Sequence, residues 1–132
     1  RISLERAQRG TMAEFSDLMS ELNGLDDQIN ACIGRFEEAL RGKLTIAIEV
    51  PFEGGHLTWR KVNSVWHVCY SLNGFDTPLA SAPRMVRLNG VWTGFEAFLK
   101  RIRPALEENI IARRQALQAF SLIERNIDEA FR

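Results

Sequence analysis

Three side chains in the middle of the chain have the chemistry to bind a metal: His56, His67 and Cys69. Zinc accepts imidazole and thiolate ligands. His67 and Cys69 stand two apart, so on a strand they share a face. No paired CxxC or HxxxH spacing accompanies them, and the sequence offers no fourth ligand. The expectation is no metal and no cofactor.

Nucleophilic catalysis has equally thin support. Cys32 falls on an apolar helical stripe and reads as core. Cys69 has His67 nearby, but side chains two apart on a strand are about 7 Å apart, too far for direct hydrogen bonding. Glu49 and Glu53 have no partner carboxylate fixed by spacing. Gly54-Gly55 alone is a turn. GxSxG, HExxH, P-loop and dinucleotide fingerprints are all missing. No catalytic residue is expected, and a non-enzyme is favoured over an enzyme.

Charge points elsewhere. Seventeen basic and seventeen acidic residues cancel, but unevenly along the chain. Residues 1–40 carry eight acids and four bases, and residues 41–103 carry four acids and nine bases. Arg60, Lys61, Arg84, Arg87, Lys100, Arg101 and Arg103 form a candidate basic surface in that middle stretch. Trp59, Trp66, Tyr70 and Trp92 lie among them. Arginine beside aromatics can hold phosphates and stack bases, so nucleic acid is the alternative partner. Aromatics facing a core, with the bases on a solvated surface, would give the same composition. No RRM, KH or helix-turn-helix signature decides for nucleic acid.

The elements that must position these residues follow from periodicity. A first helical arm spans residues 1–42. Thr11 and Glu14 are spaced as a capping box, with a short separate helix expected over Ser3–Arg9. Phe15, Leu22, Ile29 and Phe36 recur every seven residues, and Leu18, Leu25, Cys32 and Ala39 form a second series. A helix from Met12 to Arg41 would be about 45 Å long.

A β-rich middle spans residues 43–92. Leu44, Ile46, Ile48 and Val50 alternate with Lys43, Thr45, Ala47 and Glu49, as in a half-buried strand. Leu57–Val62 and Val65–Leu72 read as a hairpin around Asn63-Ser64. It would pair Lys61 with Trp66, Trp59 with Val68 and Leu57 with Tyr70. The face bearing Leu57, Trp59, Trp66, Val68 and Tyr70 should cover the core. Residues 75–83 read as loop, and Arg84–Leu88 as a short fourth strand.

A second helical arm spans residues 93–132, opened by a Thr93–Glu96 capping box. Pro104 should start a new helix or kink this one. Beyond it Leu106, Arg113, Phe120 and Ile127 share one heptad series, with Ile110 and Leu117 alongside and Glu124 interrupting. Arg113 on the stripe would need an acidic partner, from the first arm or another subunit. Its stem could instead pack while its head reaches water.

The fold class is therefore α+β: a small antiparallel sheet of three or four strands flanked by two long amphipathic helices. The helices are expected to pair as an antiparallel hairpin within one domain, 1–132. They overhang a sheet whose strands reach only about 20 Å. The overhanging stripes must bury against each other or against a second chain. The expected interaction stripe is Phe15, Leu18, Leu22, Leu25, Ile29 and Phe36, continued by Leu106, Ile110, Arg113, Leu117, Phe120 and Ile127. Fourteen of the seventeen bases are arginine, a type favoured at protein interfaces. The favoured function is a protein-interaction module, forming a homo-oligomer or docking a protein partner.

The composition agrees, with 45% apolar and 26% charged residues, the mix of an ordinary globular domain. Two cysteines are too few for a disulfide scaffold, and their lack of pattern suggests a cytoplasmic setting. No apolar run approaches membrane-spanning length, so no membrane partner is expected.

Overall fold

The computed structural model describes residues 4–132. Helix α1 covers Leu4–Leu40 without a break. Ser3, the start of the expected separate helix, lies outside the described residues, and residues 4–9 belong to α1. Gly10 does not end a helix, and Thr11 does not cap one. Its hydroxyl instead donates to the Ala7 carbonyl one turn back.

Four strands follow: β1 Ile48–Phe52, β2 Gly55–Val62, β3 Val65–Leu72 and β4 Phe75–Pro78. They form one antiparallel sheet in sequential order. The β2–β3 register is the expected one, with Leu57 opposite Tyr70, Trp59 opposite Val68 and Lys61 opposite Trp66. Each hairpin turns on a residue pair with positive φ: Glu53-Gly54, Asn63-Ser64 and Asn73-Gly74. Such pairs match the strand twist. Asn73-Gly74 therefore does more than end β3. It returns the chain as β4, where a loop was expected. Pro78 is tolerated because it sits at the end of an edge strand.

The expected first strand is shorter than its alternation. Leu44, Ile48 and Val50 are buried and Thr45, Ala47 and Glu49 exposed, but pairing starts only at Ile48. Before it, the Leu44 carbonyl accepts the Trp59 indole N–H at 2.9 Å, which anchors the extended segment without a ladder.

Arg84–Leu88 is not a strand. Arg84–Asn89 forms helix α2, followed by a π-helical turn, Gly90–Gly94, and helix α3, Phe95–Ala130. Five residues are too few to separate helical from strand alternation. The backbone stays helical through Asn89, Gly90, Gly94 and Phe95. Thr93 thus caps nothing, and its hydroxyl bonds the Asn89 carbonyl. Gly90 and Gly94 let this helix approach closely. A Cβ on Gly90 would meet Leu79 at 2.9 Å, and one on Gly94 would meet Leu57 and Phe52 at 3.2 Å. Helix α3 runs through Pro104, whose missing N–H leaves the Lys100 carbonyl without its intrahelical bond.

Leu57, Trp59 and Val68 on one sheet face pack with Ile33 of α1, Leu79, and Phe98 of α3. Phe36 stacks on Phe95 at 3.8 Å and meets Phe98 edge-on. Glu37 and Arg41, one helical turn apart, close the open edge of β3. Pairing with β4 stops at Cys69. Beyond it Val68 N–H donates to the Glu37 carboxylate at 2.9 Å, and Arg41 Nε donates to the Trp66 carbonyl at 3.0 Å. Two side chains thus replace a strand's ladder on an otherwise unpaired edge.

The expected helical hairpin is corrected by two contacts. Asp26 of α1 pairs with Arg84 of α2 at 2.8 Å, and Phe36 stacks on Phe95. Sequence number rises in both helices between these contacts, so they run in the same sense where they touch. The sheet between them carries the chain back to its starting end before α2 begins. Residues 4–25 leave this contact region at one end and residues 106–130 at the other. The arms therefore cannot zip together within one chain.

Candidate interaction surface

The chemical candidates resolve one by one. His67 Nδ1 lies 3.1 Å from Glu37 and 3.2 Å from Arg41, in the cluster that closes the β3 edge. His56 sits 3.3 Å from Glu49. Among the described residues no group of three metal-ligating side chains comes together. A cleft of about 500 Å³ over the outer sheet face brings Glu49, His56, Arg60 and Asp76 together. Within it Arg60 donates to Asp76, which also accepts the Ser71 hydroxyl. Below them Cys69 is buried, with only 1% exposed. Burial pushes its thiol up from the ordinary value. Asp76 and Glu37 add to the rise and Arg60 opposes it.

The thiolate is the nucleophile, so a raised pKa and burial both slow alkylation. Cys32, half-buried on α1, is expected to react with iodoacetamide at pH 8 well before Cys69, by at least about tenfold. Equal rates, read by peptide mass spectrometry, would mean that Cys69 is not sequestered.

The candidate basic surface is largely occupied. Arg60 pairs with Asp76, Arg84 with Asp26 and Lys100 with Glu96. Arg101 donates to both Glu108 oxygens, at 3.1 and 2.9 Å, which holds the Glu108 carboxyl below its usual range. Arg87 donates to the Ala82 carbonyl. Lys61 and Arg103 stand exposed. The aromatics expected beside these bases mostly face inward. Trp59 is fully buried, Tyr70 nearly so, and Trp66 is half-buried against Trp59. Trp92 alone of the four is well exposed, at 73%.

The interaction stripe divides in two. Ile29 and Phe36 are half-buried, Phe36 against the core. Phe15, Leu18, Leu22 and Leu25 on α1 are exposed, as are Leu106, Ile110, Leu117, Phe120 and Ile127 on α3. Met12, Met19, Leu99, Ile123 and Phe131 add to these faces. Arg113 is exposed too, and donates to the Asn109 carbonyl and side-chain oxygen at 3.1 and 2.9 Å. The structure therefore brings none of the stripe's outer residues together within the chain. It leaves two apolar faces pointing to solvent on arms about 33 and 37 Å long.

Exposed Trp92 and Phe75 were not singled out as interaction residues. Aromatic type alone carried no such signal, because Trp59 and Phe98 are equally aromatic and fully buried. No helix of the described residues is long and apolar enough to cross a membrane. No family model, no curated protein and no solved structure matches the chain.

Proposed function

We infer that this chain is a non-enzymatic protein-interaction module that assembles through its helical arms. One observation carries this: large apolar side chains line both arms at helical spacing and find no cover among the described residues. Contiguous exposed apolar patches on monomeric proteins rarely exceed a few hundred Å². Most helical stability in proteins comes from packing an amphipathic face, so arms of this length need a partner for that face. The compact sheet body holds the roots of both arms, at Phe36 and at Phe95 and Phe98. Its role is to present the two faces at opposite ends. An adaptor, an inhibitor and a subunit of a larger complex share this mechanism. The nucleic-acid alternative gains no observation, since its aromatics pack inward and most of its bases are engaged.

The test is affinity capture from a lysate of the source cells, with nuclease present. The bait is the tagged chain or its Leu117→Asp, Phe120→Asp variant. The wild type is expected to retain a stoichiometric protein, another copy of itself included, that the variant loses. Capture that is unchanged in the variant, or that disappears on nuclease treatment, would overturn the proposal.

A further inference from the structure

The free part of α3 has a stripe of unusual internal order. Its central positions are Leu106, Ile110, Arg113, Leu117, Phe120, Glu124 and Ile127, continued by Phe131 just past the helix end, spaced alternately four and three apart. Every one is exposed. Two of them are charged, one of each sign. A single-chain function gives no reason for ionic residues at the centre of an apolar stripe.

We propose that a second copy of this chain covers this stripe, packed antiparallel about a two-fold axis between Leu117 and Phe120. This deepens the interaction-module reading above and rests on it. The axis places Leu117 opposite the partner's Phe120, Arg113 opposite the partner's Glu124, Ile110 opposite the partner's Ile127, and Leu106 opposite the partner's Phe131. Every apolar position then meets an apolar position, and both charged interruptions are matched. Symmetry produces the Arg113–Glu124 pair twice. Such an interface is isologous and closed, so it stops at a dimer. Alternate four- and three-residue spacing is what knobs-into-holes packing of two helices requires.

Charge selects this register. Moving one helix by a turn would set each arginine and glutamate against leucine, isoleucine or phenylalanine, and a buried unpaired charge is costly. Polar residues at single stripe positions fix register and partner in this way. In the single chain Arg113 leans on Asn109 of its own helix, which leaves its guanidinium on the stripe within reach of an incoming carboxylate.

Space and area also suit a second copy. Ala105 is the last buried residue of α3, and the stripe starts at Leu106. In full overlap the partner's Phe131 meets Leu106, one residue beyond Ala105. Leu106, Ile110, Leu117, Phe120, Ile123, Ile127 and Phe131 are between 40% and 86% exposed. Together they present on the order of 700 Å² of apolar surface, close to the roughly 800 Å² per partner of a stable interface. The α1 arm is a poorer choice of self-partner. Residues 10–34 contain no Lys or Arg, and Glu14, Asp17, Glu21, Asp26 and Asp27 lie among them. Two copies of α1 would set like charges side by side.

The experiment uses sedimentation equilibrium on the purified full chain and two charge reversals, Arg113→Glu and Glu124→Arg. The wild type is expected to be a dimer. Each single variant sets like charges together twice, and is expected to dimerise at least a hundredfold more weakly. Mixed one to one, the two single variants are expected to form a heterodimer, because Arg113→Glu then faces Glu124→Arg while the native pair is kept. Rescue by mixing rules out misfolding as the cause of the single-variant loss, and circular dichroism checks the helix content of each. A monomeric wild type, single variants that still dimerise, or a mixture that stays monomeric would each overturn the proposal. These failures differ from failure of the interaction reading. A monomer that still captures a stripe-dependent protein from lysate loses the second copy and keeps the module. Loss of both results removes both.

Discussion

The Leu117→Asp, Phe120→Asp variant is expected to lose self-association by a factor of at least about a thousand. Each substitution gives up roughly 1.5–3 kcal/mol of apolar burial and sets an unpaired carboxylate in a closed interface. Each occurs twice in a symmetric dimer, and every 1.4 kcal/mol is about tenfold in affinity. The sheet body should be untouched, because both residues are exposed and lie beyond Ala105, the last buried residue of α3. Its melting temperature, read by the fluorescence of Trp59 and Trp66, should stay within about 2 °C of wild type. The control is Gln115→Asp, Gln118→Asp, which adds the same charge to the same arm away from the stripe. A double variant that remains a well-folded dimer would show that the C-terminal stripe is not the assembly surface. A control that dissociates equally would assign the loss to charge alone.

Glu37→Ala is expected to destabilise the body by about 2–4 kcal/mol. The wild-type carboxylate accepts Val68 N–H on an edge that no strand covers, and it lies 3.9 Å from Arg41. A hydrogen bond to a charged group is worth about 1.5–3 kcal/mol, and the orphaned N–H adds its own desolvation cost. For a domain of this size the melting temperature should fall by roughly 8–15 °C. Glu37→Gln keeps an acceptor for Val68 and should lose about half as much or less. Denaturant melts of both variants give the comparison. A Glu37→Ala protein within about 0.5 kcal/mol of wild type would mean that water closes the edge as well as the side chain does.

Glu37 also shows where sequence reasoning stops. It carries no sequence signal, since a glutamate on a helix is ordinarily solvated. Its role exists only because β4 ends at Pro78 and leaves the Val68 N–H without a strand partner on that side. The same holds for Arg84 and Arg60, read as members of a basic surface. Each has an acidic partner far away in sequence, Asp26 and Asp76, that no local spacing brings near. Cys69 was legible in part. Its distance from His67 argues against catalysis, but its burial on the outer face, at 1% exposed, has no signal in the local spacing.

Local errors have local causes. Gly10 and Thr93 look like helix ends in sequence, but cap residues mark ends only when the backbone leaves the helical region. Here it does not, and both threonine hydroxyls bond carbonyls one turn back. Pro78 and Pro83 make 75–83 read as loop, yet the Asn73-Gly74 pair closes a tight hairpin turn into β4.

Periodicity settles which residues share a face. A period of two set the inner face of β2 and β3, and the Asn63-Ser64 turn set their register, because a slip of one residue would turn the whole apolar set outward. A period of three to four set the stripes on both arms. What those stripes meet depends on how the elements pack in three dimensions. Periodicity describes one element and is silent on the direction in which another approaches it. The four-stranded meander returns the chain to the end of the contact where Asp26 lies, so the second helix starts beside Asp26 and runs with α1 rather than against it. That choice of sense separates the arms and leaves both faces open.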